Sequence, residues 1–139
     1  IHNKTDEQTF FSQIDSIPLW LPQDITVSSF GEVFILNNLG RSLIQTDTQF
    51  SFVKEIKLPS PPPYLFPKSI YHRSNGNLII RDSAKKRLYE VKLNGELVSI
   101  FPPDYLSEFI VPHEFHLLGN DQIVVVDKSK QTVFYIGMK

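Results

Sequence analysis

Apolar residues in this chain come in short runs, and the runs recur at a fixed spacing. Val33-Phe34-Ile35-Leu36, Leu78-Ile79-Ile80 and Ile123-Val124-Val125-Val126 follow one another at 45 residues, with no insertion or deletion. Each begins eleven residues after a proline (Pro22, Pro67, Pro112) and leads into Asn37, Asp82 or Asp127. A period of this length marks stacked units, because one unit cannot bury its apolar face alone and must pack on its neighbours.

Inside each unit the pattern predicts strands separated by turns. A first strand covers Ile25–Ser28, Ile70–Arg73 or Phe115–Leu118. The turn after it is Phe30-Gly31, Asn75-Gly76 or Asn120-Asp121, and Asn-Gly predicts a two-residue hairpin loop with positive φ at both residues. A second strand follows at Glu32–Leu36, Asn77–Arg81 or Gln122–Val126. It is apolar on both faces, as a strand between two neighbouring sheets has to be. A polar loop leads to a third strand at Ser42–Thr46, Arg87–Val91 or Thr132–Ile136. A turn at Asp47-Thr48-Gln49 or Asn94-Gly95 leads to a fourth at Phe50–Ile56 or Glu96–Phe101. No segment has the i, i+3, i+4 spacing of an amphipathic helix.

The fold class is therefore all-β, and four antiparallel strands per 45 residues describe one blade of a β-propeller. The chain divides into 1–21 (an outer strand), 22–66 (blade 1), 67–111 (blade 2) and 112–139 (an incomplete blade 3). Pro59-Ser60-Pro61-Pro62-Pro63 suits the semi-rigid crossing between blades. The stretch Leu65-Phe66-Pro67-Lys68-Ser69-Ile70, then Asn75-Gly76, then Leu78-Ile79-Ile80-Arg81-Asp82, resembles the NHL-type repeat of six-bladed propellers. The resemblance covers nearly the whole chain and is specific for fold rather than for function. Two positions depart from it: Asn37 stands where the other units have Asp82 and Asp127, and unit three has Asn120-Asp121 in place of its turn glycine.

Counting units raises the question of closure. The third unit stops after its third strand, while Gln8-Thr9-Phe10-Phe11 aligns one period ahead of the fourth strand. Propellers close by such an exchange of strands between the two ends, which removes the exposed edge. Three blades are fewer than the four to eight that a closed propeller takes. The expected arrangements are a piece of a longer propeller, two copies building one six-bladed ring, or an open array covered by other proteins. The expected partners are thus a protein, further blades or a second copy.

Bulk composition narrows the picture without naming a role. The apolar fraction is 41%, the charged fraction 21% and the net charge −1, so no global field draws the chain to nucleic acid or membrane. Eleven Phe and five Tyr suit strands. The absence of cysteine excludes thiol chemistry and Cys-ligated zinc, and it is compatible with export or with the cytoplasm. No run approaches the length of a membrane helix.

Candidate chemistry gathers at three places. Gln23-Asp24, Lys68-Ser69 and His113-Glu114 occupy equivalent positions after the leading prolines, at the mouth of the central channel, where a ligand would meet a polar rim. Asp24, Glu114 and His116 are the only candidates for metal ligands. Glu114 and His116 share one face of a strand, which is two ligands where zinc takes three or four. The gluconolactonase-like propellers, which this architecture also resembles, hold a divalent metal with Glu, Asn and Asp around the axis. That resemblance implies a hydrolase or lyase as the alternative function, with Asp24 and Glu114 in those parts and no Asn at the third site.

The third place is blade 2, with seven positive against three negative residues between Pro67 and Phe101, and Arg81, Lys85, Lys86 and Arg87 around one turn. NHL-like propellers that bind RNA make this a second alternative. One charged turn supplies few phosphate contacts, so nucleic acid is not the expected partner. Asp82 and Asp127 are expected to cap their own loops, Trp20 to fill an apolar slot between blades, and His2 and His72 to lie on the surface. No nucleophile elbow or phosphate loop is present. The expected function is a non-enzymatic interaction module without cofactor, binding a protein or small ligand at the rim.

Overall fold

The computed structural model describes residues 11–37, 41–58, 67–84, 86–103, 114–118 and 122–137. It contains β-strands and turns, with no helix among the described residues. Among the described residues thirteen strands form a small hairpin and three antiparallel sheets. The hairpin pairs β1 (Gln13–Ile14) with β2 (Ile17–Pro18). Sheet 1 runs in chain order through β3 (Asp24–Val27), β4 (Val33–Asn37), β5 (Ser42–Thr46) and β6 (Phe52–Lys57). Sheet 2 does the same with β7 (Pro67–His72), β8 (Leu78–Asp82), β9 (Arg87–Val91) and β10 (Leu97–Phe101). Sheet 3 holds β11 (Glu114–Leu117), β12 (Gln122–Asp127) and β13 (Thr132–Gly137).

The period is visible in the register. Ile25 faces Ile35, Ile70 faces Ile80 and Phe115 faces Val125, each pair one period from the last. Alternation along the strands then sends side chains to opposite faces. Phe34, Leu36 and Leu43 of sheet 1 pack with Ile70, Leu78, Ile80 and Tyr89 of sheet 2 in one buried cluster. Ile79 and Leu88, on the other face of sheet 2, pack with Phe115, Ile123 and Val125 of sheet 3. This is why β4 and β8 are apolar on both sides: β8 lies between sheets 1 and 3 and β4 between sheet 2 and the hairpin, whereas among the described residues β12 is covered on one face only. Pro67 opens β7, a strand position where its missing N–H is tolerated.

The turns differ from the two-residue loops expected at Asn-Gly. In the three glycine-containing hairpin turns the positive φ falls on Gly31, Gly76 and Gly95, at 86°, 89° and 89°, and Asn75 and Asn94 do not share it. Gly76 N–H donates to Arg73 O at 3.0 Å, and Arg73 N–H to Asn77 O at 2.9 Å. The loop is therefore longer by one residue, a tight turn followed by a left-handed bulge glycine. The asparagine before the glycine serves as a side-chain acceptor, with Asn75 Oδ1 taking Asn77 N–H at 2.9 Å. A Cβ on Gly95 would come within 2.3 Å of the Lys57 carbonyl oxygen, so this glycine also lets sheet 2 approach β6.

Asp82 and Asp127 cap their loops, as expected: Asp82 Oδ1 accepts Ala84 N–H at 2.9 Å, and Asp127 Oδ1 accepts Lys130 N–H at 3.1 Å. Asn37 does something else in the same slot. Its Oδ1 accepts Trp20 N–H at 3.0 Å and its Nδ2 donates to Pro18 O at 3.1 Å, which fixes the hairpin to sheet 1. The hairpin lays Ile14 over Ile35 and Ile44. It also carries Trp20 out into solvent, so the expected interblade slot for Trp20 is wrong. His72, expected on the surface, is half-buried and stacks on Phe34 with ring centroids 5.6 Å apart. Its place on β7 is an even step from Ile70, which turns it toward sheet 1. The proposed N-terminal strand around Gln8, the crossing at Pro59–Pro63, His2, and the turn at Asn120-Asp121 lie outside the described residues.

Candidate functional site

Asp24 lies on β3, Lys68 and Ser69 on β7 and Glu114 on β11, the first strand of each sheet, and β3 packs beside β7. Asp24 on β3 is half-buried, and its Oδ2 accepts the Ile70 N–H of β7 at 2.8 Å. That bond ties the first strands of two sheets together and engages one of the two carboxylate oxygens. Gln23 next to it donates from Nε2 to Leu21 O at 3.0 Å and from its backbone to Leu36 O at 2.8 Å. Ser69 lies beside Ile70 and accepts Arg81 Nε–H at 3.3 Å, while Lys68 is exposed. Arg81 then reaches sheet 3: its Nη1 stands 3.9 Å from Glu114 Oε2. Asp24, Ser69, Arg81 and Glu114 thus form a polar line across all three sheets. His113 lies outside the described residues.

The Arg81–Glu114 pair is loose. The Glu114 side chain is 62% exposed, and 3.9 Å is at the outer limit of an ion pair. In water such a pair gains little, on the order of 0–1 kcal/mol. The guanidinium is therefore held in place by Ser69 and free to exchange Glu114 for another acceptor. A planar fork of donors suits carboxylates and phosphates. Glu114 and His116 point to the same, exposed side of β11. Among the described residues no three His, Cys, Asp or Glu side chains come together as a metal site.

The described basic residues around the β8–β9 turn go separate ways. Arg81 joins the polar line. Lys86 is exposed at a left-handed φ of 53°, which Gln131 repeats one period later. Arg87 is half-buried, opposite Asp82 in the β8–β9 register. Lys85 lies outside the described residues.

Sequence reasoning missed a second cluster, at the far ends of the same strands. Arg73 Nη1 donates to Glu90 Oε1 at 2.7 Å, and both side chains are buried. Asn77 Nδ2 at 2.9 Å and Asn75 Nδ2 at 3.2 Å donate to the same oxygen, and Ser99 Oγ lies 3.2 Å from Oε2. Burial is the largest single influence on Glu90 and pushes its pKa up. The hydrogen bonds from Asn77, Asn75 and Arg73, together with the Arg73 charge, outweigh it and leave the carboxyl below its ordinary value. Equivalent positions are bridged in the other sheets, where Gln45 Nε2 donates to Glu32 Oε2 at 2.8 Å and Tyr135 pairs with Gln122. The clue was a charged residue inside the apolar run Leu88–Val91.

No family model and no curated protein sequence matches the chain. Solved structures do match. A protein of unknown function from Bacteroides caccae superposes with a TM-score of 0.60 at 12% identity, covering 85% of this chain and 42% of its own. Virginiamycin B lyase from Staphylococcus aureus superposes with 0.53 at 16%, covering 84% and 41%. The WD40 repeats of RRP9 give 0.53 at 11%, covering 84% and 38%. At these identities the likeness is one of fold. The architecture is that of β-propeller blades, and the chain spans about two-fifths of the length of these neighbours.

Proposed function

We propose that this chain is an NHL-like β-propeller interaction module, part of a six-bladed ring, without catalysis of its own. Its units are the segments 1–21, 22–66, 67–111 and 112–139. It binds a protein or small ligand through the polar line on its first strands, with Arg81 as the anchor and Asp24, Ser69 and Glu114 around it. The observation that carries this reading is the loose Arg81–Glu114 pair, an oriented guanidinium with a solvent-exposed counter-ion. An acidic group on the partner fits that site by displacing Glu114. The hydrolase or lyase alternative requires Asp24 as a metal ligand, whereas one of its oxygens already holds the Ile70 amide.

The test is photo-crosslinking from two positions. A photoreactive side chain at Lys68, on the rim, is expected to capture a partner from the native source. The same group at Lys54, on exposed β6, is expected not to. Arg81→Glu should abolish the Lys68 adduct. Metal-dependent hydrolysis of a lactone or ester, lost on Asp24→Asn, would overturn the reading.

A further inference from the structure

In sheet 2 the Glu90 carboxylate takes hydrogen bonds from Arg73, Asn75 and Asn77. One period earlier those three donors are replaced by Ser28, Phe30 and Glu32, and Gln45 stands in the place of Glu90. The backbone of the two corners is alike. Ser28 N–H donates to Glu32 O at 2.8 Å and Gly31 N–H to Ser28 O at 3.0 Å, as Arg73 and Gly76 do with Asn77 and Arg73. The side-chain chemistry is turned round. In sheet 2 the amide of Asn77 donates to the carboxylate on the third strand, whereas in sheet 1 the amide on the third strand, Gln45 Nε2, donates to Glu32 Oε2 at 2.8 Å. The set has also lost its cation. Ser28 is buried, its hydroxyl oxygen accepts the N–H of Phe30 at 3.2 Å and of Glu32 at 3.1 Å, and it reaches Glu32 Oε1 only at 3.4 Å. In sheet 3 the equivalent Leu118, Gln122 and Tyr135 carry no charge, so no cation is wanting there.

The corner of sheet 1 is thus left with acceptors in excess. Among the described residues no ion pair engages Glu32, and Lys54, opposite Gln45 in the β5–β6 register, is exposed. Gln45 is 6% exposed, and its Oε1 is buried without a hydrogen-bond partner. Turning the amide over would not help, because Nε2 faces a carboxylate, which only accepts. A buried acceptor without a donor is destabilising. Glu32 is half-buried, so the corner meets solvent on its side, and Phe30 in the same turn is 82% exposed. We propose that this corner binds a small guanidinium ligand, which fills in sheet 1 the part that the Arg73 side chain fills in sheet 2. A guanidinium carries a planar fork of donors and stacks on aromatic rings. It supplies the charge that Glu32 lacks, a donor for Gln45 Oε1 and a flat partner for the Phe30 ring. A compact ammonium offers no such face. The rim reading does not depend on this site, which lies beyond the other end of β3 from Asp24.

The test is a titration of the nitrogen-15-labelled full chain with arginine, followed by NMR. The Gln45 side-chain amide and the backbone amides of Phe30 and Glu32 should shift and saturate, with a dissociation constant on the order of millimolar. Lysine at the same concentrations should move them several-fold less. Glu32→Gln should weaken arginine binding about tenfold or more, the loss expected for a hydrogen bond to a charged group. Phe30→Ala should weaken it about two- to fivefold, with resonances elsewhere unchanged. Ser28→Arg supplies the guanidinium from within the chain and should abolish arginine binding. Should that variant fail to fold, the Glu32→Gln and Phe30→Ala titrations carry the test. A Gln45 side-chain amide that stays in place up to about 20 mM arginine would overturn the proposal and leave an ordered water as the partner of Oε1. Equal responses to arginine and lysine, or arginine binding indifferent to Glu32→Gln, would overturn it equally.

Discussion

Two arginine–glutamate pairs start from sheet 2, and they are built to opposite specifications. Arg73–Glu90 is closed at 2.7 Å, buried on both sides, and its carboxylate also takes hydrogen bonds from Asn75 and Asn77, with Ser99 against its second oxygen. Arg81–Glu114 stands open at 3.9 Å with its glutamate in water. Both pairs have the same chemistry, so the difference lies in solvent and in the number of partners. Desolvation makes the first pair indispensable once it is formed, since breaking it strands a buried charge. Solvent makes the second pair nearly free to break, which is what a recognition site requires. Formal charge alone does not mark a functional residue: the better-made pair belongs to the architecture.

The sharpest way to break this contrast is to remove Glu90. Glu90→Ala should cost about 3–5 kcal/mol in urea unfolding, the range for an orphaned buried charge. Replacing both partners, Arg73→Met with Glu90→Leu, should recover at least about 1 kcal/mol relative to Glu90→Ala, because no charge is left unpaired. If the double variant is no better than the single one, the network of Asn75, Asn77 and Ser99 outweighs the ion pair.

Acid provides the next test. Glu90 in the folded protein titrates below its ordinary value of 4.5, so the unfolded state takes up the proton first as pH falls. Its contribution is fully present above 4.5 and is lost as pH drops through the folded value. Glu90→Gln should therefore flatten the fall of stability below pH 4.5, measured by thermal melts across pH 3–6. The smallest stability effect is expected at the other pair. Arg81→Ala should cost under about 1 kcal/mol, shrinking further in high salt. It should still abolish the proposed rim binding, separating stability from that function in a way that Glu90 cannot.

The period, the strands and the capping roles of Asp82 and Asp127 were legible in the sequence because they rest on local chemistry repeated at fixed spacing. The turn type was not, because Asn-Gly fits both a two-residue loop and a longer loop with a bulge, and the choice depends on strand register. Trp20 escaped because nothing in Gln13–Pro18 signals a hairpin: its strands are two residues each and its loop lacks glycine. Asp24, Ser69 and Glu114 were legible as periodic equivalents of one another. Their connection through Arg81 was not, since Arg81 had been grouped with Lys85, Lys86 and Arg87 by proximity along the chain. Strand alternation sends Arg81 to the neighbouring sheet instead. Arg73 and Glu90 are seventeen residues apart and meet only through the pairing of three strands.

A carboxylate can only accept hydrogen bonds, and a carboxamide can also donate them. The slot held by Asp82 and Asp127 needs acceptance alone, because it serves backbone amides of its own loop. Asn37 accepts from Trp20 and donates to Pro18, so an aspartate there would leave a carbonyl facing a carbonyl-like oxygen. The substitution of one heavy atom gives the row of sheets a distinguishable first member. Unit one cannot trade places with the others, and the order of the modules is written into the side chain that ends β4.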